Sequence, residues 1–356
     1  MNVSAAATLP VDPITETAVV ASLRLARIRV RVRTAIVVLA LTLILLAGVS
    51  AEILAGGTAD IDPADIPAAL VGAGSGLAQF VIFETRLPRA VTAVLVGALF
   101  GLAGVVYQRL ISNILATPDI IGVSAGASAG AVTVLVAAGG TGIFVQAGAV
   151  VGAALAVLVI FGLSWRQGSS TYRLVLVGIG VGACFAALTS YLLTFADSMT
   201  STRAMRWMIG SLSGAQWSEV GVLAITLVLG IIAVVALAPS LGAIRLGDPL
   251  AAGLGTRVAL VRITALLLGA TLAAIATSVA GPVAFVALVS GPIAVRLLPQ
   301  SGPLPAALVG ATVLVVADIA AQTLPYVSPV PTGVLTGLVG APALVFLLLA
   351  RKADTR

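Results

Sequence analysis

TAIVVLALTLILLAGVSA, residues 34–51, decides the fold, because this run contains no charged side chain. About 17–25 apolar residues in a helix cross the hydrocarbon core of a bilayer, so the run predicts a transmembrane helix. Similar apolar runs recur as far as Ala350, and no polar segment between them is long enough to form a separate soluble domain. The chain is therefore predicted to be an all-α polytopic membrane protein with one continuous membrane domain.

The composition supports a membrane protein and excludes several kinds of site. Of 356 residues, 60% are hydrophobic and 9% are charged, and a soluble domain with a hydrated surface does not have such a composition. The formal net charge of +6 comes from arginines at the ends of apolar runs, a placement that sets topology and does not indicate a nucleic-acid partner. With no histidine and one cysteine, Cys184, no disulfide framework, metal site or cofactor is predicted.

The first 33 residues are polar, and arginines 27, 29, 31 and 33 stand directly before the first apolar run. A signal peptide is the competing interpretation, since Val49-Ser50-Ala51 resembles a cleavage site. The long preceding tail and the near-spanning length of the run favour a retained helix. The predicted organisation is a basic cytoplasmic tail (1–33), a membrane domain (34–350) and a cytoplasmic C-terminal tail (351–356).

About ten crossings are predicted at roughly 20 residues each. They lie near 34–52, 87–107, 120–138, 143–163, 174–195, 219–238, 261–280, 283–298, 304–324 and 333–350. With a cytoplasmic tail, most arginines between crossings fall inside and most acidic residues outside, in accord with the positive-inside rule. An even number of crossings then places both termini in the cytoplasm.

Two inward-facing loops carry candidate features. In the first, Pro118 is predicted to end a helix and Asp119 to cap the next one, while the following small residues equally suit a mobile gate. In the second, which spans about 239–260, Asp248 as N-cap and Pro249 as the first helical residue predict a short helix. Such a helix is too short to be stable alone, so it should pack on the bundle or on another protein.

Arg86 and Arg89 stand at the outer mouth of the second predicted crossing, against the positive-inside trend. Snorkelling into lipid headgroups is one explanation. Contact with carboxylates of an external partner is the other, because arginine forks bind carboxylates well. The residues alone leave both open.

The sequence also limits how transport is powered. The sole lysine is Lys352, so the chain has no G-x-x-x-x-G-K-[ST] phosphate-binding loop. Asp318 is the clearest ionisable residue within the apolar runs, which is little charge for an ion-coupled carrier. No catalytic cluster is recognisable. A non-catalytic conduit powered by another subunit is the expectation, with an ion-coupled secondary carrier as the alternative.

Five ordered motifs resemble the iron-siderophore and vitamin B12 permease family of bacterial ATP-binding-cassette (ABC) importers, and the resemblance extends from about Thr34 to Lys352. The motifs are Arg86-Leu87-Pro88-Arg89, residues 104–108, residues 113–126, residues 281–286 and residues 333–342. The resemblance implies a ten-helix ABC importer permease fold like that of the vitamin B12 permease. It also implies multi-pass placement in the bacterial cytoplasmic membrane.

The same resemblance implies partners and site residues. The partners are cytoplasmic ATP-binding subunits, a second permease and an external substrate-binding protein. Arg86, Arg89 and Gln322 would dock the binding protein, although Gln322 stands where the vitamin B12 branch has an arginine. The coupling helix for the ATPase would contain Asp248, Ala251, Leu254 and Gly255. Asn113 and Leu115 would form the cytoplasmic gate, with Ile114 in place of the usual proline.

Three further segments resemble a ferric-enterobactin type subunit, namely residues 172–178, 205–212 and 317–322. Such subunits commonly pair with a non-identical permease, so a heterodimer is favoured over a homodimer. A ferric siderophore is accordingly the expected cargo, with vitamin B12 or haem as the alternatives. Ser290-Gly291-Pro292 departs from the family motif at that turn.

Overall fold

The computed structural model describes residues 13–55, 61–62, 65–165, 171–299, 302–324 and 330–354. Within these ranges every regular element is a helix. The helices are α1 (Pro13–Ala55), α2 (Asp65–Leu70), α3 (Gly76–Phe80), α4 (Leu87–Ile111), α5 (Val123–Ala137), α6 (Ile143–Trp165), α7 (Thr171–Leu193), α8 (Ser198–Ile209), α9 (Trp217–Ile244), α10 (Asp248–Gly253), α11 (Val258–Ala280), α12 (Val286–Leu297), α13 (Pro305–Thr323) and α14 (Thr332–Asp354). A π-helical segment, Val81–Arg86, joins α3 to α4.

Each of the ten predicted crossings corresponds to a helix, so the prediction of an all-α polytopic membrane protein is confirmed. Within the described ranges, seven helical stretches are long and apolar enough to cross a membrane, and three more apolar helices are shorter. The short ones are α5, α12 and the part of α14 from Thr332 to Val345. Helices α2, α3 and α8 and the π-helical segment were not predicted, because each is too short or too polar to resemble a crossing.

Helix α4 lies at the centre of the bundle. In an apolar stretch of 18 residues of this helix 83% are buried, compared with 6% in an equally long stretch of α1. It packs against α9, α11, α12 and α13. A Cβ at Gly97 would lie 2.5 Å from the carbonyl oxygen of Gly310 on α13. Only glycine allows α4 and α13 to approach this closely, which is how helices pack in the absence of a hydrophobic driving force.

Two of the short helices are entered through non-helical segments. Residues 112–122 precede α5, and residues 281–285 precede α12. The 12 residues of α12 rise about 18 Å, well short of a hydrocarbon core of about 30 Å. Most of both segments is buried or half-buried against the bundle. Irregular backbone of this kind is tolerated in a membrane protein where the bundle surrounds it.

Three sequence expectations about helix ends need correction. Helix α5 begins at Val123 and not near residue 120, because Gly122 adopts a left-handed conformation (φ 86°) and is the N-cap. Asp119 therefore does not cap α5; its carboxylate accepts a hydrogen bond from the Ser124 hydroxyl. Helix α9 continues through Pro239 to Ile244, so the second inward-facing loop is shorter than predicted.

The N-terminal boundary stays a prediction. Helix α1 begins at Pro13 and is continuous across Arg33 and Thr34, where composition divides the basic tail from the membrane domain. Residues 1–12 and 355–356 lie outside the described ranges. The division at residue 34 is therefore one of composition and not a break in the helix.

Candidate functional site

A buried polar cluster joins the ends of α1, α4 and α13 and the start of α14. Asp318 on α13 is fully buried and accepts two hydrogen bonds from the Arg89 guanidinium, Nε to Oδ2 at 2.7 Å and Nη2 to Oδ1 at 2.8 Å. Its carboxylate also accepts from Gln322 Nε2 at 2.8 Å and from the Thr332 hydroxyl. The cluster defines one end of the bundle, called here the Arg89 end.

A second carboxylate faces the same guanidinium. Glu52, near the end of α1, is 1% exposed, and its Oε1 lies 3.8 Å from Arg89 Nε. A buried charge is costly unless it is paired. Arg89 therefore lies between two buried carboxylates on different helices, and it ties α4 to both α1 and α13.

Arg86 also points into the protein. It is 4% exposed, and its Nη1 donates to the carbonyl oxygens of Ile53 at 2.7 Å and Leu54 at 3.2 Å. These carbonyls belong to the last turn of α1, where backbone acceptors lack intrahelical partners. Arg86 thus caps α1, and its positive charge lies at the negative end of that helix dipole.

The π-helical segment leaves one backbone acceptor for a side chain of another helix. The Leu87 backbone N–H donates to Ile82, five residues back. By the same pattern residue 88 would donate to Phe83, but Pro88 has no N–H. The Phe83 carbonyl accepts instead from the indole Nε1 of Trp217 at 2.6 Å. Because Pro88 cannot donate to it, the Phe83 carbonyl is available to Trp217. This hydrogen bond fixes the start of α9 to the Arg89 end.

The predicted docking residues are thus brought together. Arg89 and Gln322 share the carboxylate of Asp318, and Arg86 lies one helical turn from Arg89. Sequence reasoning identified these three positions but not their partners, Glu52, Thr332 and the carbonyls of α1. The acidic residues at apolar helix ends were the available signal, because such residues usually pair with a cation.

The predicted gate residues lie in a tight turn at the opposite end of α4, called here the Asn113 end. Helix α4 stops at Ser112, whose φ is 55°. The Asn113 side chain then accepts from the Leu115 backbone N–H at 2.9 Å. Asn113 is exposed and Leu115 is half-buried. An asparagine that bonds the backbone two residues ahead stabilises a turn by itself, so Ile114 does not prevent the turn from forming.

Near this turn, Asp119 lies outside the transmembrane helices. Burial raises the pKa of its carboxyl above the ordinary value of 3.8, and the hydrogen bond from Ser124 opposes this shift. Desolvation disfavours the charged form of a carboxyl. The loop between α4 and α5 therefore contains a titratable group close to the predicted gate.

The short helix predicted around Asp248 and Pro249 exists as α10, and its role in coupling stays a prediction. Asp248 is its first residue and not its N-cap, because Gly247 with a φ of 101° precedes it. The Asp248 side chain instead pairs with Arg262 on α11 at 2.9 Å. Ala251 is fully buried and seats the helix on α9. Gly255 (φ 82°) follows the helix end.

An apolar stripe on α10 was missed by sequence reasoning except for its last member. Leu246, Leu250 and Leu254 recur every four residues and are 61%, 62% and 69% exposed. Leu250 lies within α10 and Leu254 follows one helical turn later, whereas Leu246 lies in the turn that precedes the Gly247 N-cap. This stripe, called the α10 stripe, is a surface that a partner groove can cover. The spacing of the leucines around Pro249 was the signal available in the sequence.

Comparison with known proteins gives a consistent result. Residues 25–350 match the FecCD transport family. The ferric enterobactin transport system permease protein FepG of Escherichia coli (strain K12) is 35% identical over 85% of this chain and 94% of its own length. The achromobactin transport system permease protein CbrC of Dickeya dadantii (strain 3937) is 36% identical over 87% of this chain and 90% of its own.

The structural comparison agrees. A solved structure assigned to the metal-chelate type of ABC transporter, in an inward-facing conformation, matches with a TM-score of 0.77 and 26% identity. The match covers 88% of this chain and 99% of the other. Cobalamin or vitamin B12 import permeases also match, at 33–35% identity over 77–78% of this chain.

Proposed function

The chain belongs to the FecCD transport family, and from that membership we propose that it is the permease subunit of an ABC importer that carries a ferric siderophore across the cytoplasmic membrane. The observation that carries the proposal is the near full-length match to permeases named for ferric enterobactin and achromobactin transport. The multi-pass helical bundle supports it, because an iron chelate needs a protein path through lipid. Vitamin B12 is the second candidate cargo, since permeases named for it match over a smaller share of the chain.

Transport energy comes from partner subunits in this proposal. The sole lysine of the chain is Lys352, so it has no phosphate-binding loop of the kind that hydrolyses ATP. Two ATP-binding subunits on the cytoplasmic side would supply the energy, and a second permease, non-identical or identical, would complete the path. The chain itself would catalyse no reaction.

The ATP-binding subunit would bind at the Asn113 end through α10. The α10 stripe supports this, because three exposed leucines in and beside this short helix offer apolar surface that a partner groove can cover. Asp248 and Arg262 fix α10 to α11 by their ion pair, and Ala251 fixes it to α9. Gly255 would let the chain turn directly after Leu254. ATP-driven movement of α10 would then be transmitted to α9 and α11.

The gate would be the turn at Asn113 and Leu115, which lies at the same end as α10. The side-chain to backbone bond within this turn supports a compact element that moves as a unit. With this end cytoplasmic, both termini also lie in the cytoplasm. That orientation agrees with the arginines before α1.

The external binding protein would dock at the Arg89 end, over Arg86, Arg89 and Gln322. The support is that these residues lie together and at the opposite end of α4 from Asn113. Since Arg86 and Arg89 already have partners within the chain, they would shape this surface more than they would offer free charges to it.

Uptake of radiolabelled ferric siderophore tests the proposal. Cells that lack the gene should lose uptake, and the wild-type gene should restore it. Labelled vitamin B12 is measured in parallel. Unchanged siderophore uptake with lost vitamin B12 uptake would assign the second cargo, and no change in either would overturn the transport proposal.

A further inference from the structure

Helix α8 ends beside the buried cluster at the Arg89 end. The Gly333 backbone N–H donates to the Gly210 carbonyl at 3.1 Å, and the Ser211 N–H donates to the Ala280 carbonyl at 2.8 Å. Residue 332, directly before Gly333, donates its hydroxyl to Asp318. The C-terminal end of α8 is thus anchored next to the residues that hold Arg89.

The exposed side of α8 carries two arginines. Met199, Arg203 and Arg206 are exposed, and their spacing of four and three residues places them on one helix face. Arg203 Nη2 lies 3.5 Å from Met199 Sδ. Within the described ranges no carboxylate lies within 4 Å of either guanidinium. The nearby Asp197 is occupied as the helix N-cap, where it accepts from the N–H groups of residues 199 and 200.

The side of α8 opposite the two arginines is covered by the protein. Ala204 is fully buried, α8 packs against α5, and Trp207 and Met208 are half-buried. A helix that lies on a membrane turns its apolar face towards the lipid and its cations towards the headgroups. In α8 the exposed face carries Met199, Met205 and Ile209 beside the two arginines, so it offers cationic and apolar side chains together to a partner.

The two arginines of α8 are more accessible to a partner than the predicted docking arginines are. Arg86 is 4% exposed, and the side chain of Arg89 is 15% exposed and paired with Asp318. Arg203 and Arg206 are exposed. Among the described residues near this cluster, they are therefore the cations that a partner can reach.

We propose that Arg203 and Arg206 are the cations that bind carboxylates of the external substrate-binding protein; this inference rests on the proposed function. Arginine forks bind carboxylates with two hydrogen bonds, and methionine and arginine are enriched at protein interfaces. Met199, one turn before Arg203, and Met205, which lies between the two arginines in sequence, are 64% and 54% exposed and supply adaptable apolar contact. The docking surface therefore extends from the Arg89 cluster onto α8.

The test uses the importer assembled with its ATP-binding and second permease subunits in lipid nanodiscs, and the purified binding protein that supports its uptake as probe. Arg203→Glu/Arg206→Glu should raise the Kd of the binding protein at least about tenfold, because like charges replace the complementary ones. The wild-type Kd should rise with salt and the variant Kd should change little. Arg203→Lys/Arg206→Lys keeps the positive charge but loses the fork, so its Kd should lie between those of the wild type and the glutamate variant.

Controls separate the outcomes. Arg296→Glu reverses an exposed arginine in the last turn of α12, at the opposite end of α13 from Gln322, and should leave the Kd unchanged. An unchanged Kd in Arg203→Glu/Arg206→Glu overturns this inference alone. An effect confined to nanodiscs of anionic lipid, absent in neutral lipid, overturns it in favour of headgroup binding. A wild-type importer that takes up neither ferric siderophore nor vitamin B12 overturns the proposed function and this inference with it.

Discussion

The Arg89 guanidinium makes two hydrogen bonds, of 2.7 and 2.8 Å, to the fully buried carboxylate of Asp318. This pair joins the centre of the bundle to α13, and Glu52 adds α1 to the same cluster at 3.8 Å. A resemblance based on motifs presents Arg89 as a cation that faces outward. The geometry shows that its charge is already balanced inside the protein.

Asp318→Asn should therefore destabilise the protein. Removal of one partner leaves a buried charge, which costs about 3 kcal/mol. Gln322→Ala removes one hydrogen bond to the same carboxylate and should cost about 1 kcal/mol. Thermal unfolding in detergent measures both. Equal unfolding midpoints for the two variants would show that the ion pair adds nothing beyond a single hydrogen bond.

Gly97→Ala should separate α4 from α13. The new methyl group would lie 2.5 Å from the Gly310 carbonyl oxygen, and overpacking of this kind costs about 1–3 kcal/mol. Gly180→Ala is the matched control, because no heavy atom lies within 4 Å of a Cβ built at Gly180. The control should unfold at or slightly above the wild-type temperature, since alanine favours a helix. The interpretation fails if Gly97→Ala behaves in the same way.

Trp217→Phe should weaken the connection between α9 and the π-helical segment by about 1 kcal/mol, because the Phe83 carbonyl loses its donor. Pro88→Ala supplies a backbone N–H that can reach that carbonyl. In the Pro88→Ala background, Trp217→Phe should accordingly cost less. A double-mutant cycle of unfolding free energies measures the difference, and additive effects would contradict the assignment of Phe83 as a shared acceptor.

Leu250→Asp/Leu254→Asp should lower transport-coupled ATP hydrolysis by about tenfold or more, because a charge in an apolar interface is desolvated without a partner. Val71→Asp is the control; Val71 is 80% exposed but lies in the segment that leads to the Arg89 end. Association of the ATP-binding subunit, measured in nanodiscs, should fall only in the leucine variant. If the leucine variant bound the ATP-binding subunit normally, the α10 stripe would not be the interface.

Asp119→Asn tests the pKa shift near the gate. Burial raises this pKa above 3.8, so the folded state favours the protonated carboxyl. The stability that this preference supplies is complete below pH 3.8 and is lost as the pH rises through the raised pKa. Asp119→Asn should thus be at least as stable as wild type at pH 7, and its advantage should shrink towards pH 4. An advantage that grows on acidification would contradict a raised pKa.

Much of the fold could be predicted from hydrophobicity alone. The ten apolar runs correspond to ten helices, because about 20 apolar residues in lipid leave few alternatives to a helix. Elements such as α8 and the π-helical segment could not be predicted this way. The helicity of α8 depends on its cap at Asp197 and on packing through Ala204, and the five-residue hydrogen-bond spacing of the π-helical segment leaves no mark on its hydrophobicity.

The candidate site was only partly predictable for a related reason. Motifs located Arg86, Arg89 and Gln322, but a motif does not show which way a side chain points. Asp318 was recognisable as an unusual charge, yet its bond to Arg89 joins residues 229 positions apart in sequence. Only the packing of α4 against α13 brings these two side chains together.

The most direct test of the account is accumulation of radiolabelled ferric siderophore in proteoliposomes that contain this chain and its partner subunits. We predict accumulation when ATP and the ATP-binding subunits face one side and the loaded binding protein is on the other, with no ion gradient imposed. Accumulation driven by an ion gradient without ATP would contradict the central claim and identify a secondary carrier.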